Sequence, residues 1–227
     1  MFPVKSLTPS NTFPLATLIL ILTNAGIFIY MLQTGLSGTF FIDYGIVPAK
    51  LGMPSEIVPF QEKILPFFSY MFIHGGWLHI IFNMYFLYIF GPNVEGRLGH
   101  GRYIVSYIVF GITGAIVYVI LSPTDGYPVV GASGAVAGVM GAYLIFFPTS
   151  KIKTLLIIII FITFINIPAV VFIGLWFAAQ LSGALVDGGT SDSIAWWAHV
   201  GGFVAGMVLA LFVRITQGND YLLRKTY

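Results

Sequence analysis

The stretch Val129-Val130-Gly131-Ala132-Ser133-Gly134-Ala135-Val136-Ala137-Gly138 sets one serine among small residues. It stands where an irregular segment, Ser122 to Pro128, gives way to an apolar helix. The first turn of a helix offers N–H groups without intrahelical partners and the positive end of the dipole. A hydroxyl placed there can serve as a nucleophile, because donors for a developing oxyanion are already at hand. Packing is the competing reading. Gly134-xxx-Gly138 and Ala137-xxx-Gly141 are small-xxx-small patterns, which in membrane helices usually mark close approach and nothing more.

Composition narrows the setting. The chain is 58% hydrophobic and only 8% charged, whereas soluble domains carry roughly a quarter charged residues. A polytopic membrane protein is expected, a single domain over residues 1–227. With no cysteine, disulfide and thiolate chemistry are excluded. A net charge of +2 points to no nucleic-acid partner. No cleavable signal peptide is read: the first apolar run, from Pro14, is long enough to span and has no small-x-small exit.

Spans are expected at about 14–33, 77–90, 102–121, 133–147, 168–186 and 194–215. Thr12 or Asn11 is the expected cap of the first. Thr34 to Gly76 carries five charged residues and four prolines, so it reads as a structured loop lying partly in the membrane interface. Gly91 to Gly99 reads as a glycine-punctuated turn. Ile152 to Ile167 reads as a cytoplasmic-side interfacial segment or a long helical extension, with Pro168 opening the fifth span. Charge counting selects six spans. With both termini cytoplasmic, Lys5, Arg97, Arg102, Lys151, Lys153, Arg214, Arg224 and Lys225 lie inside. Only Lys50 and Lys63 lie outside, beside Asp43, Glu56, Glu62, Asp125, Asp187 and Asp192, as the positive-inside rule requires. No internal repeat supports an inverted-repeat transporter.

Polar groups inside a membrane are costly and mark function. No acid falls within these spans, which hold His79, Asn83, Ser133 and His199, with His74 just ahead of the second. The second, fourth and sixth spans run inward from outside, so these four groups share the outer half of the bilayer. His79 and Asn83, four apart, lie on one helix face. Ala198-xxx-Gly202-xxx-Gly206 adds a smooth ridge near His199, which permits the approach a serine–imidazole hydrogen bond needs. A histidine buried there would be neutral and able to accept a proton. Without a carboxylate at that depth, a Ser-His dyad remains.

Gly131-Ala132-Ser133-Gly134, Ala198-His199-xx-Gly202-xxx-Gly206, His74-xxxx-His79-xxx-Asn83 and Val94-Glu95-Gly96-Arg97-Leu98-Gly99 together resemble the rhomboid family of intramembrane serine proteases. The resemblance covers roughly Leu15 to Arg214. It implies an all-α, six-transmembrane-helix bundle with a long, partly embedded first loop, in which the fifth helix or its loop gates lateral substrate entry. It also implies Ser133 as nucleophile and His199 as general base, with an oxyanion hole from the Ser133 N–H, His79 and Asn83. Gly131, Gly134, Gly202, Gly206 and His74 are the supporting positions. No cofactor or metal is expected. The partners are transmembrane protein substrates and the lipid bilayer, and the plasma (inner) membrane is the expected location. Three positions depart from the family pattern: Leu65-Pro66 replaces a frequent Trp-Arg pair, Ala137 replaces an aromatic residue, and Ile194 replaces a glycine.

Plainer roles compete at several positions. His74 reads first as a loop or interfacial histidine, and Glu95 with Arg97 as a structural polar turn. His100 and its basic neighbours read as topology signals, and Trp196 with Trp197 as interfacial anchors. Two other function classes compete with a protease: a catalytically silent relative that binds transmembrane helices, and a metal or haem protein using His74, His79 and His199. The histidine spacing lacks the HExxH pattern of a zinc protease.

Overall fold

The computed structural model describes residues 2–10, 12–35, 37–158, 161–186 and 194–217. Asn11, Asp187, Asp192, Arg224 and Lys225, used above for capping and charge counting, lie outside the described residues. Six helices form the body: α1 (Leu15–Thr34), α2 (Trp77–Leu98), α3 (His100–Leu121), α4 (Ser133–Phe146), α5 (Ala169–Val186) and α6 (Trp196–Gln217). Among the described residues, α1, α3, α5 and α6 are each long and apolar enough to cross a membrane. The segment Phe60–Phe72 and α2 meet the same condition as a pair bent by 75°. The 14-residue α4 does not. It is about 21 Å long at 1.5 Å per residue, against a hydrocarbon thickness of ~30 Å.

That short helix is the centre of the bundle. Every residue from Gly134 to Tyr143 is buried, the pattern of a helix wrapped on all sides. Its neighbours reach it through missing side chains. A Cβ on Gly202 would lie 2.0 Å from the Gly134 carbonyl oxygen, and one on Gly206 would lie 1.9 Å from that of Gly138. On the other flank a Cβ on Gly138 would meet the Phe110 ring at 2.4 Å. Glycine is required at these positions by backbone-to-backbone and backbone-to-ring contact.

The sequence expectation of an all-α fold needs correction. Ile152 to Ile167 is neither an interfacial helix nor an extension of one. Lys151–Ile158 (β2) and Phe161–Pro168 (β3) form an antiparallel pair, and Phe2–Ser6 (β1) adds to β2 to give the order β1-β2-β3. Isoleucine, threonine and phenylalanine dominate the pair, residues whose branched or aromatic side chains suit a pleated surface. The stretch from Leu155 to Ile162 is apolar throughout, and such a run carries no period that separates strand from helix. The sheet joins the chain's start to the α4–α5 connection. Ser6 Oγ lies 2.6 Å from the Tyr143 hydroxyl, Leu7 N–H donates to the Lys151 carbonyl at 2.9 Å, and the Tyr85 hydroxyl donates to the Pro3 carbonyl.

The second helix also runs further than its sequence suggested. Helix α2 continues through Gly91-Pro92-Asn93 to Leu98, so Gly91 to Gly99 is not a turn; a reversal follows at Gly99, with φ of 79°. Glu95 therefore sits within a helix, fully buried. Its carboxylate accepts hydrogen bonds from the Ala16 and Thr17 N–H groups, both at 2.8 Å, and from the Thr17 hydroxyl at 2.6 Å. Helix α1 has no side-chain cap of its own, so Glu95, rather than Thr12, satisfies its first turn. His100 is more than a topology signal, since its Nδ1 meets Glu95 Oε1 at 2.5 Å.

The loop between α1 and α2 is folded into short helical segments, Ser37–Tyr44, Pro48–Leu51, Phe60–Ile64 and Pro66–Ser69, with a 3-10 turn at Tyr70–Phe72. Hydrogen bonds tie it to the rest of the bundle. Ile46 and Val129 exchange two backbone hydrogen bonds, of 2.9 and 2.8 Å, and Ala49 N–H donates to the Asp125 carbonyl. The buried Tyr70 hydroxyl donates to the Gly111 carbonyl at 2.6 Å.

Placing a methyl group between α4 and α6 should be costly. Gly202→Ala or Gly206→Ala is expected to lower unfolding free energy in detergent by about 1–3 kcal/mol. Gly26→Ala, where a Cβ would meet nothing within 4 Å, should be neutral or stabilising by up to ~1 kcal/mol. Denaturant titration followed by circular dichroism checks this; equal losses at all three positions would contradict the close approach.

Candidate active site

Ser133 and His199 come from the first turns of α4 and α6. Because the glycine ridges let these helices touch backbone to backbone, the two side chains meet: Ser133 Oγ lies 2.7 Å from His199 Nε2. Both residues are half-buried, unlike the closed run from Gly134 to Tyr143. A hydroxyl at that distance from an imidazole lone pair can lose its proton to it as it attacks an electrophile.

The other polar residues surround the approach to Ser133. Gly131, with φ of 119°, carries the chain close to two side chains. A Cβ there would lie 2.5 Å from His79 Nε2 and 3.7 Å from Asn83 Nδ2. Gly75 N–H donates to His79 Nδ1 at 3.4 Å, which leaves the ring's proton on Nε2, toward Gly131. Asn83 Nδ2 is buried with no hydrogen-bond partner among the described residues. A buried donor left unpaired is costly, and a developing negative charge would satisfy it. His79 and Asn83 thus lie together beside the Ser133 turn.

His74 does not join them as a donor. Its Nε2 accepts the Ala132 N–H at 3.4 Å, and its ring meets His79 edge to face, with centroids 5.2 Å apart. Burial, then the neighbouring His79, pulls its pKa down to about 3, so it stays neutral and can accept that bond. Gly134 lies against the Tyr70 hydroxyl and the Ala198 carbonyl, where a Cβ would be 3.1 and 3.3 Å away. Gly202 and Gly206 act at the helix contact rather than at the hydroxyl itself.

Sequence reasoning missed what α5 brings. His199 Nδ1 lies 2.6 Å from Gln180 Oε1. Trp176, one turn earlier on α5, faces the same imidazole at 6.3 Å between centroids, with the planes 34° apart. Trp196 meets it edge-on at 6.3 Å, and a Cβ on Gly183 would touch the Trp196 indole at 2.5 Å, so Trp196 is a packing residue as well as a ring near the helix end. The imidazole thus has aromatic neighbours from both α5 and α6. The signal for Gln180 was present: it is a lone amide in an apolar run, and intramembrane polar residues are functional candidates.

Residues 61–216 match the family profile described as the rhomboid domain. The rhomboid protease GluP of Bacillus subtilis is 34% identical over 149 residues, covering 66% of this chain and 26% of that protein. The putative rhomboid protease YdcA of Bacillus subtilis is 40% identical over 72 residues, 32% of this chain and 36% of its own length. The chloroplastic rhomboid-like protein 11 of Arabidopsis thaliana is 30% identical over 143 residues, 63% of this chain and 50% of its own. The chain therefore spans about a quarter to a half of these relatives. Some of them are named proteases and others only rhomboid-like.

Gly131→Ala tests the crowding beside His79. The added methyl must displace the imidazole or the loop, so reaction of Ser133 with a fluorophosphonate is expected to slow by about 10²-fold, as for an ångström-scale misplacement. Labelling rates measured at matched thermal stability decide it, and an unchanged rate would show that the loop does not depend on this approach.

Proposed function

This chain belongs to the rhomboid family, and from that membership we propose that it is an intramembrane serine endopeptidase that cleaves transmembrane segments of membrane proteins. The observation that carries the proposal is the 2.7 Å contact between Ser133 Oγ and His199 Nε2. Ser133 Oγ attacks the scissile carbonyl carbon while its proton passes to Nε2. The carbonyl π pair becomes the oxyanion, received by the Ser133 N–H, His79 Nε2–H and Asn83 Nδ2–H. The oxyanion then collapses, the C–N bond breaks, and the imidazolium proton goes to the departing amine. Water, deprotonated by the same imidazole, attacks the acyl carbon; the C–Oγ bond breaks and Ser133 recovers its proton.

The element order supports a six-span topology with the site near the non-cytoplasmic side. The start of α1, the end of α2 and the end of α4 are joined on one side through Glu95, Tyr143 and the sheet, where Lys5, Arg97, Lys151 and Lys153 also lie. Ser133, His199 and His79 lie at the opposite helix ends. The proposed location is the plasma membrane, with this basic side facing the cytoplasm as the positive-inside rule requires. Since α4 is too short to span, the chain ahead of it dips inward and sets Ser133 below the surface. The first loop exposes Ile57, Phe60 and Phe68, side chains suited to an apolar surface, which favours its lying partly in the bilayer interface. A substrate helix hides its carbonyls in its own hydrogen bonds, so segments that unwind readily are the preferred class.

Ser133→Ala and His199→Ala should each abolish cleavage of a transmembrane peptide while leaving the unfolding temperature near that of the wild type. Turnover by either purified variant would refute the dyad. Asn83→Ala should reduce kcat by roughly 10–10³-fold, as loss of an oxyanion donor does, with KM little changed. Steady-state kinetics in detergent or vesicles measure this, and an unaltered kcat would remove Asn83 from the oxyanion hole.

A further inference from the structure

The imidazole of His199 makes two hydrogen bonds, and only one of them is to the serine. Nε2 faces Ser133 Oγ at 2.7 Å and Nδ1 faces Gln180 Oε1 at 2.6 Å. A neutral imidazole has one N–H and one lone pair. To act as base toward Ser133, it must keep the lone pair on Nε2 and the proton on Nδ1. An amide oxygen opposite Nδ1 accepts that proton's hydrogen bond and so selects this tautomer. An amide NH2 group in its place would select the other, whose Nε2–H cannot take a proton from the serine.

We propose that Gln180 is the positioning residue of this site, fixing the tautomer and the rotation of His199 as the carboxylate does in a serine triad. The assignment rests on the Ser133–His199 reading above. Gln180 is buried, so water competes little for Nδ1. Trp176 lies one turn away on the same face of α5 and packs against the imidazole. Together they confine the ring in orientation and in proton placement. A neutral acceptor orients the imidazole without placing a full negative charge beside it. The acceptor also comes from a different helix than the base, so the base is set correctly only while α5 holds its place against α6.

The test uses the full chain in detergent, comparing Gln180→Leu, which removes the acceptor at similar size, with Gln180→Glu, which keeps one. Gln180→Leu is expected to lower kcat for a transmembrane peptide by about 10–10²-fold, less than the ~10⁴-fold reported for reversing the tautomer in a charged triad. KM should stay within about twofold, since only orientation of the base is lost. Gln180→Glu should recover most of kcat. Equal losses in both variants, or a Leu variant with wild-type kcat, would overturn the assignment. Nitrogen-15 NMR of imidazole-labelled wild-type protein gives a readout that does not depend on any variant folding. Protonated Nδ1 and bare Nε2 at His199 are expected, and the opposite tautomer would also overturn it. Ser133→Ala run in parallel separates the two levels. If it retains turnover, the dyad itself fails. If it is inactive while Gln180→Leu is unchanged, only the role of Gln180 fails.

Discussion

Everything at the site depends on how closely α4 and α6 approach. The absent side chains of Gly202 and Gly206 would lie about 2 Å from carbonyl oxygens of α4, so the helices touch along their backbones. Lipid offers no hydrophobic gain for bringing two apolar helices together; dispersion contact between smooth surfaces supplies the attraction. That contact fixes both helix starts at once. Ser133 and His199 can therefore form a 2.7 Å hydrogen bond although they stand 66 residues apart in the chain. The same residues that read as mere packing are what make the chemical pair possible.

A buried carboxylate organises the opposite end. Glu95 lies out of solvent, which for an unpaired charge would be prohibitive. It is tolerated because the α1 N–H groups, the Thr17 hydroxyl and His100 surround it, and because the positive end of a helix dipole faces it. Glu95 thereby ties the first helix to the second, and the sheet ties the chain's start to the turn after α4. With that end braced, the loop from Ile46 to Tyr70 can be held at the site end by backbone bonds to Val129 and Gly131.

Helix α5 is built differently. Leu175, Leu185 and Val186 are exposed on its outer surface, so little apolar packing holds it compared with α4. Its inner face nevertheless carries the groups nearest the imidazole, Trp176 and Gln180, while Phe177 stacks on Phe203 at 4.3 Å. The most lightly packed of the long helices thus supports the most demanding side chain.

Much of this was legible in the chain. Apolar runs separated by charged or glycine-rich segments gave the helices, because burying a backbone in lipid demands closed hydrogen bonding. Ser133, His199, His79 and Asn83 stood out because polar groups are expensive in such runs, and the glycine spacing beside them signalled close contact. Three features were not legible. The run from Ile152 to Ile167 is unbroken apolar from Leu155 to Ile162, so period could not reveal a strand pair whose partner, β1, lies some 150 residues earlier. Gly91-Pro92 looked like a break, yet α2 passes through it because only the tertiary bond from Glu95 to α1 rewards keeping the helix to Leu98. Gln180 is one polar residue among many apolar ones, and nothing local aims it at His199. The sequence by itself determined which segments are long and apolar and which polar side chains stand within them, since those depend on the chemistry of each residue and its spacing. Only the tertiary structure decided which of those side chains meet, because a hydrogen bond of 2.6 or 2.7 Å depends on where three separate helices come to rest against one another.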